Sequence, residues 1–500
     1  MNLGNKKSKL KPTIGVLGGG LGGLSIAARL ANLGYKVTII EKNSYFGGKA
    51  NEIILKTERG DFRFDSGPSL VSVPEEFDSF YGEFGLDFRK ELDLVKLQIV
   101  TRHFFDDCII DSYADKHKFT TEIEQKTTDL SSNVIKFLDH SKKLYSTSKV
   151  YLKYDISFKT ILKLDFWKAF VSYLTKPILI SINKDVSRFL KDKKTIRIFN
   201  RLATFNGSNP YQAPMILNSL ANVVHEQDTF YPKKGIITIP RSIEKICRLL
   251  GVTMINNAKI DKVRFENNKW KVYFPNSELD FDILINNIDY NIFLDLLDSK
   301  RKKDDSKKLS TSAILMYIAV AGNYDQLEIH NGIYFDDYKN EYNLINSGTL
   351  SKTPSIYLHV SSNVTPSDAP KGHQSWFVVI NTPNINDDHQ QNYDQLSKEV
   401  YNYFVKAMSK ILKTNVHEAI IDKLILTPKD IQTRTSAYRG SIYGKNMNNL
   451  LRIISRPNNT DSKYKNLYHV GGTTHPGGGM PMVLASSRIV ANLISQKYEK

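Results

Sequence analysis

Short apolar runs, broken by glycines and by stretches of helical period, set the order of elements along this chain. Thr13–Leu17 is the first such run, with the length and composition of a buried parallel strand. Ile26, Ala27, Leu30, Ala31 and Leu33 then recur on one helical face; Gly34 stops that helix, and Tyr35 to Ile40 returns as a second strand. Phe62 and Phe64 alternate with Arg63 and Asp65, as in a strand running into a Gly67-Pro68 turn. Farther on, Ser242–Leu250 predicts a helix, while Val252–Ile255, Ile260–Phe265, Trp270–Phe274 and Phe281–Asn286 predict strands. Leu467–Val470 predicts another strand, Gly471–Gly479 a glycine-rich crossing, and Met482–Ile494 a helix rich in small residues. This alternation predicts an α/β fold around a parallel sheet.

The first strand and helix enclose Gly18, Gly20 and Gly23, a G-x-G-x-x-G turn that also holds Gly22. The first glycine permits the tight turn, the second lets backbone approach a pyrophosphate, and the third lets the helix pack on the strand. Glycine-rich turns also close ordinary corners, but here a strand precedes, a helix follows, and Glu41 ends the second strand. A carboxylate there accepts from ribose hydroxyls and repels a 2′-phosphate, which disfavours NADP and leaves FAD or NAD. Gly47, Gly48 and Lys49 follow at once as a second phosphate-handling loop, offering backbone N–H groups and a cation.

Five hundred residues exceed what one core supports, so two or more domains are expected. Cys108 and Cys247 are too few for a disulfide framework and lack metal-ligand spacing. Met1–Lys11 is polar and basic without an apolar stretch behind it, and no window is apolar enough for a membrane span; a cytoplasmic protein is expected. The charge is concentrated. Residues 136–201 carry 16 Lys/Arg against 5 Asp/Glu, an excess of 11 in a chain of net +17. Ile161, Leu164, Phe166, Trp167, Phe170, Tyr173 and Leu174 are interleaved with them. That pattern suits an element lying in a membrane interface and equally a helical subdomain with solvated lysines; no nucleic-acid motif accompanies it.

The order of the glycine fingerprint, Glu41, Gly47-Gly48-Lys49 and Phe64-Asp65-Ser66-Gly67-Pro68-Ser69 resembles the FAD-dependent carotenoid desaturases of the phytoene desaturase type, relatives of the amine oxidase fold. Phe199–Pro214 (FNRLATFNGSNPYQAP), Tyr231–Gly235 and Asn466–Ile489 are similar to the family's middle and C-terminal segments, so the resemblance spans nearly the whole chain. It implies a Rossmann-like FAD-binding domain, discontinuous over residues 1–101, 232–289 and 444–500. An α+β substrate domain would take 102–231 and 290–443, with Lys300–Ser310 as a charged surface linker. The FAD contacts it implies are Gly18, Gly20, Gly22, Gly23, Glu41, Gly47, Gly48, Lys49, Gly67, Pro68, Ser69, Val263, Gly472 and Met480. Many amine-oxidase relatives carry an aspartate where Thr473 stands, a departure shared by carotenoid desaturases.

The implied chemistry is desaturation of a polyene: one hydrogen leaves as hydride to the flavin, another as a proton, and a double bond forms. The cofactor performs the difficult step, so the protein mainly positions the bond and excludes water. No nucleophile or metal cluster is expected, and the histidines show no metal-ligand pairing. His475 lies inside the C-terminal block, with a backbone-bonded loop histidine the favoured reading; Arg63 and Asp65 are expected to support the flavin loop, and the proton acceptor is unassigned. A single dinucleotide fingerprint points to electrons leaving for a quinone or oxygen rather than arriving from NADPH, and a lipid-borne quinone and carotenoid favour peripheral membrane association. Asn206–Tyr211, Arg434–Ser436, Gly440–Gly444 and His475–Pro481 resemble the 1-hydroxycarotenoid 3,4-desaturase branch. A redox-neutral isomerase or hydratase on the same fold, and a non-catalytic flavin- or lipid-binding protein, remain as alternatives.

Overall fold

Ile14–Leu17 forms the central strand of a five-stranded sheet, and every one of its residues is buried. A computed structural model describes residues 11–155, 180–297, 300–335, 337–387 and 391–498. In the sheet, Leu467–His469, Ile283–Asn286, Ile14–Leu17, Val37–Ile40 and Thr253–Ile255 lie side by side, all parallel. Val16 stands opposite Ile39 on one side and Ile285 on the other. The chain leaves the central strand through the helix Leu21–Asn32 toward Val37–Ile40, outside which Thr253–Ile255 is later added, and Ile283–Asn286 and Leu467–His469 fill the opposite side. The strand order therefore reverses between Ile14–Leu17 and Ile283–Asn286, and ligands of such sheets sit at the carboxyl ends beside that point.

Helices Leu21–Asn32, Thr238–Leu249 and Met480–Tyr498 cover one face, where Leu24, Ile26, Leu30, Ile243, Leu484 and Val490 share a core with Ile14, Val16 and Ile39. On the other face lies an antiparallel meander, Lys262–Glu266, Lys269–Phe274 and Ser277–Phe281. Phe281 belongs to this meander rather than to the parallel strand, which begins at Ile283. Its ring fills the space where a Cβ on Gly15 would stand, 2.5 Å from Cδ2. The helix expected from Ser242 starts at Thr238, and the one expected from Met482 starts at Met480; Pro240 and Pro481 fall in the first turns, where a missing N–H costs no helical bond.

A seven-stranded mixed sheet forms the second layer, in the order Ile420–Leu426, Ser312–Ala321, His373–Thr382, Ile356–Val360, His330–Ile333, Ile99–Phe104, Ile109–Tyr113. Ser312–Ala321 is apolar after its first residue because both its faces are covered. Ile314, Met316, Ile318 and Val320 pack with the helix Tyr393–Leu412, whereas Ala313, Leu315, Tyr317 and Ala319 meet the hairpin Glu52–Thr57 and Gly60–Asp65. A helical cluster flanks the sheet, and Phe137, Leu138, Val186, Ile198 and Phe199 from the basic window are buried in it. The apolar run Ile161–Leu179 on which the membrane expectation rests lies outside the described residues. Among the described residues no helix is long and apolar enough to cross a membrane. Lys300–Ser310 is not surface linker to its end: Arg301 pairs with Asp461, and Leu309 and Ser310 are buried.

Candidate functional site

The glycine turn sits at the carboxyl end of the central strand. Gly18 adopts φ +94°, which returns the chain toward the second strand, and its N–H donates to the Ile40 carbonyl at 2.8 Å. A Cβ on Gly23 would lie 2.0 Å from the Gly18 carbonyl oxygen, so the helix can start this close to the strand only with glycine there. Gly20, at the helix N-cap, offers no side chain to the first N–H groups, and the first turn holds no acid. Those donors and the helix dipole are therefore left for an anion.

Glu41 is held at the next strand end. Its Oε2 accepts from the Gly19 N–H at 2.7 Å and its Oε1 from the Asn43 N–H at 2.9 Å, and each oxygen keeps a lone pair. The second loop closes against the first. Gly47 N–H donates to the Gly19 carbonyl at 2.8 Å, and a Cβ on Gly48, at φ +62°, would come within 3.0 Å of the Gly20 Cα. Lys49 turns away from this contact, its Nζ donating to the carbonyl of Ile442. Burial pushes the Lys49 ammonium down and the facing Asp289 carboxyl up, each opposed by the other's charge.

Asn287, which follows the strand Ile283–Asn286, joins three of these glycines. Its Nδ2 donates to the Gly18 carbonyl at 3.1 Å, and its Oδ1 lies 2.3 Å from where a Gly22 Cβ would stand and 2.9 Å from a Gly471 Cβ. Sequence reasoning passed over this residue. The signal was an asparagine directly after a strand that leads to the switch point. From the C-terminal crossing, Gly472 faces the Gly478 Cα, at 3.5 Å from its own missing Cβ, and Thr473 Oγ1 accepts from the Tyr290 N–H at 3.0 Å. The Tyr443 ring lies between Gly207 and Gly478, whose Cβ atoms would meet Cδ2 at 2.9 Å and Cδ1 at 2.6 Å. It thereby links the mid-chain segment to the C-terminal block, and burial pushes its phenol up to about 12.

The turn 66–69 is fixed from below by the mixed sheet. Tyr317 Oη donates to the Ser66 carbonyl at 3.0 Å, and Ser69 Oγ shares a 2.6 Å hydrogen bond with Tyr357 Oη. A Cβ on Gly67 would stand 2.8 Å from the Lys49 carbonyl oxygen. Beneath the turn, fully buried Asp65 accepts from Arg63 Nη2 at 2.6 Å, Tyr231 Oη at 2.6 Å and the Ile236 N–H at 3.0 Å. Burial alone would raise its carboxyl, but His359 and Arg63 hold it below the usual range. Arg63 also reaches Glu52 and Asp368, and it passes so close to Gly235 that a Cβ there would lie 1.7 Å from Nη2.

The residues expected at a cofactor site are thus largely brought together: Gly18, Gly20, Gly22, Gly23, Glu41, Gly47 and Gly48 around the strand ends, Lys49 and Gly67–Ser69 beside them, Gly472 across from them. Val263 is different. Its side chain is core, packed with Leu17, Ile40 and Trp270 between meander and sheet. Met480 starts the last helix with its side chain in the core against that sheet's other face. His475 is buried, its Nε2 donates to the Tyr154 carbonyl at 2.8 Å, and burial pushes it down to about 4. It is a backbone-bonded loop histidine.

A dinucleotide fits this arrangement. The gap beside Gly20 is bounded by Asn287 Nδ2, 3.2 Å from a missing Cβ, and by the Gly48 Cα at 4.0 Å; side chains at these glycines would fill it. Among the described residues no group of His, Cys, Asp or Glu is arranged to hold a metal ion.

Residues 16–84 match the family of NAD(P)-binding Rossmann-like domains. The chain is 32% identical to a 1-hydroxycarotenoid 3,4-desaturase of Flavobacterium sp. (strain P99-3), over 96% of this chain and 98% of that protein. It is 30% identical to a 4,4'-diapolycopene oxygenase of Methylomonas sp, over 96% and 97%. Among solved structures it resembles an oxidoreductase from Methanosarcina mazei, with TM-score 0.62, 15% identity, and 96% and 100% of the two chains covered. Cyclohexylamine oxidase from Brevibacterium oxydans gives TM-score 0.59 at 11% identity, covering 98% and 100%. These structural likenesses show the fold, that of the amine oxidases, around a Rossmann-like domain.

Proposed function

The chain belongs to the carotenoid desaturase and oxygenase family, and from that membership we propose that it is an FAD-dependent desaturase of carotenoid biosynthesis. It would remove two hydrogens from adjacent saturated carbons of a polyene, 1-hydroxylated carotenoids being the first class to try. The observation that carries this reading is the full-length likeness to a 1-hydroxycarotenoid 3,4-desaturase in a chain whose glycines converge at the sheet's switch point.

In this reading the N-terminal end of Leu21–Asn32, with Gly18 and Gly20, receives the diphosphate, and Glu41 takes the adenosine ribose. Gly22 and Gly23 let the helix approach; Gly47–Lys49, Gly67–Ser69 and Gly472 approach the rest of the cofactor, with Val263 and Met480 supporting from the core. Bound FAD supplies the hydride acceptor. The chain's own work is to fix the reacting bond and keep water from it, which the buried Tyr231 and Tyr317, the half-buried Tyr357 and the wedge of Tyr443 support. Residues 1–101, 232–289 and 444–500 form the FAD-binding part, and 102–231 and 290–443 the substrate part. Electrons leave to a quinone or oxygen, and the protein associates peripherally with membrane. Absence of flotation with liposomes at low salt removes the last statement.

A second reading is favoured by the diapolycopene oxygenase, matched over nearly the same length. Product mass separates the two. Purified FAD-loaded protein is incubated anaerobically, and then with oxygen, with liposomes holding a 1-hydroxycarotenoid. Loss of two hydrogens with bleaching of the flavin supports desaturation; gain of oxygen supports the oxygenase reading; unchanged mass with unbleached flavin overturns both.

A further inference from the structure

Arg201 opens the segment Arg201–Asn206 on the substrate side of Tyr443, and only 9% of it is exposed. Among the described residues no carboxylate pairs with it and no carbonyl accepts from it. Its guanidinium lies 5.1 Å from the ring centroid of Tyr357. One helical turn earlier the situation is opposite: Arg197 has Glu341 at 3.7 Å and donates from Nη2 to Ser355 Oγ at 2.6 Å. A buried cation left without an acceptor is costly, and such groups normally take a partner or lose their charge. An arginine keeps its charge.

A second polar group nearby is left open. His330 is fully buried; its Nδ1 shares a 2.8 Å hydrogen bond with Tyr357 Oη, and its Nε2 has no partner. Burial, and after it the charges of His359 and Arg201, push His330 well below its ordinary value, so the ring is neutral. Tyr357 also holds Ser69 of the cofactor-side turn, so Arg201 and His330 both border the residue that joins the mixed sheet to that turn.

We propose that Arg201 and His330 seat a hydroxyl group carried at the end of the polyene. The proposal rests on the polyene reading and deepens it by naming the residues that select an oxygenated substrate. A hydrocarbon end would leave the guanidinium buried without an acceptor, whereas a hydroxyl oxygen accepts from it. The hydroxyl also suits His330 in either tautomer, donating to a bare Nε2 or accepting from a protonated one; a carbonyl suits only one. Specificity of this kind is strong because the wrong substrate strands the site's own polar groups.

The test compares binding of a 1-hydroxylated polyene and the hydrocarbon lacking only that oxygen to FAD-loaded protein, followed by quenching of intrinsic fluorescence, with turnover measured in parallel. Wild type is expected to prefer the hydroxylated ligand by roughly tenfold to a hundredfold, the range of a charged hydrogen bond. Arg201→Met is expected to bring that ratio toward one, Arg201→Lys to restore part of it, and His330→Gln to lower it less, with flavin content held at the wild-type level in each. Equal wild-type binding of the two polyenes overturns the proposal, even if a variant fails to fold. So does loss of flavin from Arg201→Met, which would make Arg201 a cofactor residue, or a quinone that displaces neither polyene in wild type yet loses its own binding in Arg201→Met. Preferential binding of the hydroxylated polyene without any oxidation would support the seat while sinking the desaturase reading.

Discussion

Asn287 fastens the glycine turn by donating from Nδ2 to the Gly18 carbonyl at 3.1 Å, and its Oδ1 occupies the approach to Gly22. Gly22→Ala would place a Cβ 2.3 Å from that oxygen, so the carboxamide must leave and the Gly18 bond with it. The substitution is expected to lower flavin content of the purified protein by about tenfold or more, the cost of a misplaced cradle being a few hydrogen bonds at once. Adding Asn287→Ala removes the clash and should recover part of the loss. Visible flavin absorbance per protein reads both, and a double variant no better than Gly22→Ala would show that the clash is not with Asn287.

Tyr443 makes a corresponding link between the mid-chain segment and the C-terminal block. Gly478→Ala drives a Cβ to 2.6 Å from its ring and is expected to cost about 1–3 kcal/mol, the usual penalty of overpacking. Gly207→Ala meets the other ring edge at 2.9 Å and adds the strain of a left-handed backbone at φ +63°, so it should cost more. Tyr443→Phe keeps the wedge and should stay close to wild type. Denaturant midpoints order the three, and a Gly207→Ala variant as stable as wild type would refute the wedge.

Local chemistry was legible along the chain, and proximity across it was not. The strand Ile14–Leu17, the turn at Gly18–Gly23 and the acid at Glu41 are contiguous, so period and spacing carry them. Asn287 matters because it stands beside Gly18, a neighbour 269 positions away, and no period encodes that. Phe281 sits in the wrong strand of the sequence reading because it is the apolar end of an otherwise mostly polar meander strand and only Asp282 separates it from the apolar parallel strand. The two partners of Tyr443, and the lack of a hydrogen-bond acceptor for Arg201 among the described residues, follow from three-dimensional packing alone.

The Asp65 carboxylate joins a hairpin residue, Arg63, to Tyr231 and to the mixed sheet through His359, whose Nε2 lies 3.4 Å away. Asp65→Asn leaves Arg63 and Tyr231 with a neutral partner in a fully buried site and is expected to cost about 3–5 kcal/mol. Tyr231→Phe removes one charge-assisted hydrogen bond and should cost about 1.5–3 kcal/mol. The double variant should fall short of the sum, since both changes act on the same bond. Full additivity in equilibrium unfolding would show that Tyr231 and Asp65 do not act together.

Five buried histidines among the described residues set a pH dependence. Burial pushes His225 and His475 down to about 4, His103 and His330 well below the ordinary value, and His469 down as well, so the fold favours their neutral forms. In the unfolded chain each titrates near 6.5. The unfolded state therefore binds the extra protons first. The stability these groups contribute is complete above about pH 6.5 and is lost as pH falls toward 4, at up to about 1.4 kcal/mol per pH unit for each group. His475 tests the account cleanly, because its Nε2 bond to the Tyr154 carbonyl can be kept by an amide. His475→Gln should unfold with a pH slope shallower by about one proton between pH 6 and 5, and the difference should vanish above pH 7. A variant with the wild-type slope would mean that His475 is charged in the folded protein already.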